Sequence, residues 1–199
     1  MLGAVSALGV AALPLSSYAV DQPSVSKSAQ VTVGVEGAIS ISFVAPSSTA
    51  GDTDGSVFTP ATGVLKLANA KVNGAPVIGT MGVQVATNNT TGYTLTAKSS
   101  ATTDMVGSGS AETFSIPANA NVAQGTAGWA IKGGDLSENK AIDASGVQLK
   151  KTDEAPKGTP EVDNKNFENT DVIFTVAADS STREGTYTGT VIFTAAVND

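Results

Sequence analysis

Hydrophobic and polar residues alternate with period two along most of this chain. Val31, Val33 and Val35 alternate with Thr32 and Gly34, and Ile39, Ile41 and Phe43 alternate with Ser40 and Ser42. β-Branched residues at that period are what a half-buried strand needs, because successive side chains leave opposite faces of the backbone. Glu36-Gly37 stands between the two runs as a bulge or tight turn. Residues 63–69 alternate again, with Val64 on one face and Leu65 and Leu67 on the other. Residues 81–87 and 93–98 form two more runs, joined by Asn88-Asn89-Thr90-Thr91-Gly92, a set of strong turn formers. This pair is the clearest hairpin the pattern predicts. Shorter strands are predicted at 112–116 and 128–132, and strong ones at 171–177 and 186–197. Residues 47–56 read as loop. No long segment carries the 3.6-residue period of an amphipathic helix. Many short strands with turn formers between them predict a sandwich or barrel of antiparallel strands.

Residues 135–171 change character. They hold nine of the chain's 18 acidic residues, together with Pro156 and Pro160. The pattern predicts an exposed, charged excursion with one short strand at 147–150. The domain reading that follows is a single β-sandwich over 30–199, preceded by a polar, flexible lead at 20–29.

Composition narrows the chemistry. The chain has 199 residues, 41% of them hydrophobic but only 5% aromatic, so its core rests on aliphatic side chains. The net charge of -7 argues against nucleic acid, whose phosphates require a basic footprint. It argues equally against electrostatic attraction to anionic lipid. Cysteine and histidine are absent. That removes disulfides, thiolate nucleophiles, imidazole bases and the commonest transition-metal ligands. Ser-His-Asp and Cys-His catalysis are outside this inventory. No catalytic residue and no cofactor is assigned, and the expectation is a protein that is not an enzyme.

The first twenty residues carry no charge. An apolar run of about fifteen residues ends in Ser17-Tyr18-Ala19, with small residues where an A-x-A-like cleavage site needs them. The run is short for a bilayer span. Residues 1–19 are therefore read as a secretory signal peptide, with no Lys or Arg ahead of the run, which leaves a start upstream of Met1 open. Secretion and an extracellular, cell-surface location follow, with no membrane contact after cleavage. A secreted protein without cysteine must rely on the size of its core.

Several residues invite site chemistry. Asp52-Thr53-Asp54-Gly55 spaces two carboxylates before a glycine, as a calcium loop does. Position five is Ser56 and position twelve Gly63, so Asp52 and Asp54 are a weak calcium candidate and otherwise a turn, and no metal is assigned. Asn88 and Asn89 each begin an N-x-[ST] sequence, which in a bacterial protein is just a turn. Trp129, the only tryptophan, sits among small residues and would either stack on a sugar or fill the core. Tyr93 and Tyr187 each follow a glycine-containing turn at the start of a strand. Lys66 and Asn198 are imaginable partners for an intramolecular isopeptide bond.

Two stretches together resemble the WxL-type cell-surface domain of Gram-positive bacteria. In "VQVATNNTTGYTLTAKS", Tyr93-Thr94-Leu95 stands where the first W-x-L motif would be. In "GTYTGTVIFTAAVND", Phe193-Thr194-Ala195 stands at the second. Tyr93 and Phe193 replace the family's tryptophans, an exchange that keeps aromatic packing. The resemblance implies that the final strand belongs to the domain, and that the folded domain attaches to the wall without covalent linkage. The expected architecture is thus an all-β, antiparallel β-sandwich of roughly nine to eleven strands, Ig-like or WxL-like. The expected function is a secreted, non-enzymatic bacterial surface protein bound to cell-wall polysaccharide or peptidoglycan. Tyr93, Leu95, Trp129, Tyr187 and Phe193 are its ligand- or wall-contacting candidates. The alternatives are a structural subunit of a pilus, fibre or surface layer that joins like subunits through edge strands, and a carbohydrate-binding module.

Overall fold

The computed structural model describes residues 39–100, 102–154, 156 and 166–199. The predicted signal peptide, the polar lead and the strand at Val31 to Val35 lie outside them. Among the described residues there are thirteen strands, more than the nine to eleven expected: β1 (Ile39–Val44), β2 (Val57–Thr59), β3 (Val64–Lys66), β4 (Val77–Thr87), β5 (Tyr93–Ser99), β6 (Met105–Ser108), β7 (Ser115–Ile116), β8 (Gly128–Gly133), β9 (Leu136–Lys140), β10 (Val147–Lys151), β11 (Asn166–Ala177), β12 (Thr186–Thr188) and β13 (Val191–Val197). One 3-10 turn, Gly109–Ala111, is the sole helical element among the described residues, so no helix there is long and apolar enough to cross a membrane.

A five-stranded antiparallel sheet in the order β1-β4-β11-β8-β9 faces a three-stranded one in the order β10-β5-β13. Alternate residues of the two sheets form the core: Val77, Met81, Val83 and Val85 of β4, Val172, Phe174 and Val176 of β11, Tyr93, Leu95 and Ala97 of β5. This is the all-β sandwich that the alternation predicts. Fully burying an aliphatic side chain contributes about 1.5–3 kcal/mol, so a core poor in aromatics is sufficient when it is this continuous.

The expected hairpin is not one. Both of its strands form, but β4 pairs with β1 and β11 while β5 pairs with β10 and β13. Residues 88–92 arch from one sheet to the other. Gly92 has φ +81°, and a Cβ there would overlap the carbonyl of Thr152. Thr152 in turn donates its N–H to Tyr93 O at 2.9 Å and accepts from the Tyr93 N–H at 3.1 Å. The end of β10 therefore pins the arch, and a local turn former serves a crossing between layers.

The charged excursion is also corrected. The strand expected at 147–150 forms as β10, but residues 136–140 add β9, and Ile142 and Leu149 are fully buried. Their polar residues face solvent while alternate apolar ones enter the core, which masks the pattern in a charge-rich segment. The predicted strand at 112–116 shrinks to β7, because the 3-10 turn before it tucks Ala111 against Gly107 and Gly185. The last predicted strand is split. β12 joins β6 in a small sheet with β7, and β13 joins β5. Gly189 lies at the break, where a Cβ would press on the Trp129 indole at 3.3 Å.

Side chains from the loops complete the sheet. Asp171 of β11 accepts hydrogen bonds from the N–H groups of Ser47 and Ser48, at 2.9 and 3.3 Å, and from the Ser47 hydroxyl. That crossing needs Gly82, whose Cβ would strike the carbonyls of Val44 and Ala45.

Candidate functional site

The two motif stretches, about a hundred positions apart in the chain, lie side by side. In the β5–β13 ladder Leu95 pairs with Ala195, Ala97 with Phe193 and Tyr93 with Val197. Asn198 then locks the end of the chain. Its side-chain amide donates to the carbonyls of Thr91 and Thr152 and its Oδ1 accepts from the Thr94 hydroxyl at 2.8 Å. Tyr93 and Leu95 are fully buried and Phe193 is half-buried. The motif positions thus build the inside of the sheet. Tyr93 and Leu95 offer no surface to a wall polymer, and Phe193 alone of the three reaches solvent.

Behind Tyr93 sits a polar cluster that sequence reasoning missed. The Tyr93 hydroxyl donates to Glu168 Oε2 at 3.1 Å. Lys150 Nζ lies 3.3 Å from Glu168 Oε1 and 3.3 Å from Asp135 Oδ1. Asp135 also accepts the Lys151 N–H at 2.9 Å. Burial, and then the charge of Glu168, push the Tyr93 phenol far above its ordinary range. Burial pulls on the Lys150 ammonium in the opposite direction, but Glu168 and Asp135 outweigh it and raise its pKa. The Lys151 N–H foremost, then Lys150, hold the Asp135 carboxyl low. The cluster is a paired network in which Lys150 bridges Asp135 and Glu168 and Tyr93 caps Glu168 from the core side. Only the alternation of Val147 and Leu149 around Lys150 hinted in the sequence that this lysine is held against the core.

The opposite side of the sandwich is apolar. Phe43 of β1 stands edge-on to Phe193 of β13, with ring centres 5.9 Å apart, and edge-on to Phe58 of β2 at 6.4 Å. A cavity of about 120 Å³ lies behind them, lined by Leu65, Met81, Met105, Trp129, Phe174 and Phe193 among others. Trp129 is 2% exposed and donates its indole N–H to Thr103 O at 2.9 Å. It fills the core, and no sugar can stack on a ring so placed. Ile41 and Phe43 point toward the interior yet remain 39% and 38% exposed, so this seam is incompletely covered.

The remaining candidates are structural in their contacts. Both oxygens of Asp52 accept from Thr80, its N–H at 3.1 Å and its hydroxyl at 2.6 Å, so the carboxylate anchors a loop on β4. Asp54 is exposed on the adjoining turn. Among the described residues no group of three or more acidic side chains is placed to hold a metal ion. Asn89 shapes the arch, accepting the Thr91 N–H at 3.3 Å. Lys66 lies in the β2–β3 hairpin while Asn198 is engaged at the start of β5, so the imagined isopeptide pair is not brought together. Tyr187, half-buried in β12, donates to Arg183 O at 2.8 Å, and the Arg183 guanidinium lies 5.4 Å over the Phe114 ring.

The chain matches no protein-family model and no curated protein sequence.

Proposed function

We propose that this protein is a secreted, non-enzymatic bacterial surface protein whose folded β-sandwich associates with the cell envelope without covalent attachment. The observation that supports it is the pairing of β5 with β13. The two stretches that resemble W-x-L motifs are neighbours in one ladder, with their large side chains on the inner face. The final strand is integral to the sandwich, as the resemblance requires. Since Tyr93 and Leu95 are interior, they act by shaping the sheet. Contact with wall polysaccharide or peptidoglycan falls to the outer face of β5 and β13 (Thr94, Thr96, Thr194) and to the seam at Phe193. Threonine hydroxyls on that face retain acceptor capacity for the hydroxyls of a glycan.

Co-sedimentation tests this. The protein is mixed with purified Gram-positive cell wall at several salt concentrations and the pellet is assayed. Salt-resistant pelleting with wall, and none without it, is expected. A protein that stays in the supernatant with wall present removes the function.

A further inference from the structure

The edges of the two sheets are not protected alike. At one side, β9 carries Glu138 and Lys140, and β10 carries Lys150 and Lys151 with a shift of register between Gln148 and Lys150. Charges and bulges are the devices that keep exposed edges from pairing with other chains. At the other side, β1 (ISISFV) and β13 (VIFTAAV) have no charge, no proline and no bulge. Among the described residues β13 has one strand partner, β5, and its outer edge is unpaired. Beside it Ile41 and Phe43 keep more than a third of their surface in water although they face inward.

We propose that β13 is a self-association edge, where a second copy of this chain adds its own β13 antiparallel about a two-fold axis through Thr194. The sequence of the strand is complementary to itself in that register. Val191 falls opposite Val197, Ile192 opposite Ala196, Phe193 opposite Ala195 and Thr194 opposite its own copy. Ile192 and Phe193 each meet an alanine, one on each face of the ladder, valines meet at its ends and a threonine pair sits at the centre, an arrangement that stabilises cross-strand neighbours. The three-stranded sheets of two copies become one six-stranded sheet, and the added strand lies over Ile41 and Phe43. No charge is buried. The net charge of -7 on each copy opposes the approach, so added salt strengthens the dimer. One short strand buries less than a standard interface, so the dimer is a weak, reversible one.

Sedimentation velocity of the full chain in wall-free buffer, over protein concentrations up to about 1 mM, tests the proposal. A reversible monomer–dimer equilibrium that strengthens with salt is expected. Thr194→Lys and Thr194→Glu each place like charges across the axis and are expected to weaken it on the order of a hundredfold. Mixing the two variants is expected to restore a mixed dimer. Thr194 is exposed, so the urea midpoint of either variant should match the parent; if one of them fails to fold, Ala196→Lys, which sets a charge against Ile192 of the other copy, should likewise weaken the dimer. A chain that is monomeric throughout overturns the proposal, as does a dimer that survives Thr194→Lys or a mixture that stays monomeric. Because no wall is present, these outcomes are independent of envelope binding.

Discussion

The two sides of the sandwich are closed by different chemistry. At the β9–β10 side, the Asp135 N–H donates to Leu149 O at 2.7 Å, and Lys150 bridges Asp135 and Glu168 over the buried Leu149 and Ile142. At the β1–β13 side, two phenylalanines meet edge to face beside a cavity of about 120 Å³. Polar groups near a core need partners in fixed directions, so the first side is held by directed contacts, although Asn139 Oδ1 of β9 is buried there without a hydrogen-bond partner. Apolar contact has no direction, and the second side tolerates slack and an unpaired edge.

The largest expected effect breaks the well-packed side. Leu149→Ala removes a fully buried side chain beneath the ion cluster and should cost about 3 kcal/mol in urea unfolding. Phe193→Ala, at the slack side, should cost only about 1–2 kcal/mol. Its ring is half-buried and borders a cavity already present. If Phe193→Ala proves the costlier of the two, the contrast between the sides fails.

Lys150→Met sharpens the comparison through pH. Its direct cost should stay below about 1 kcal/mol, because Asp135 and Glu168 are partly solvated. Lys150 and Tyr93 have raised pKa values, so the stability they contribute is present below their ordinary values of 10.5 and 10.0 and is lost as pH rises beyond them. Asp135, held low, contributes stability above its ordinary 3.8 that is lost on further acidification. Urea midpoints of the parent should therefore fall at both extremes, and Lys150→Met should flatten the alkaline limb. An unchanged alkaline limb would show that Lys150 does not couple to folding.

Val191→Ile has the smallest effect and the opposite sign. One methylene added toward the cavity should stabilise by about 0.5 kcal/mol. Destabilisation instead would mean that the seam is tighter than its geometry indicates.

The strands themselves were legible from single residues. Val83 and Val85 of β4, and Tyr93, Leu95 and Ala97 of β5, announce their buried faces by alternation alone. Their partners were not legible. Asn88-Asn89-Thr90-Thr91-Gly92 reads as a hairpin turn because local dihedrals are compatible with either a hairpin or an arch; Thr152, some sixty positions on, decides between them. Of the charged segment only β10 was legible, at 147–150; β9 hid behind its charges, since half-buried strands with long polar side chains lose their hydrophobic contrast. The Tyr93–Glu168–Lys150 cluster joins three separate segments, and no spacing in the chain announces such a meeting.

What the amino-acid sequence determined by itself is therefore the chemistry that is local or compositional: strands rather than helices, no thiol or imidazole chemistry, an acidic surface and an aliphatic core. Alternation and residue inventory are properties of neighbours along the chain. The tertiary structure alone decided which strands pair, that Tyr93, Leu95 and Trp129 face inward, and that the uncharged β1 and β13 end up side by side. Those outcomes depend on burying two sheet faces at once, a condition set by residues far apart in sequence.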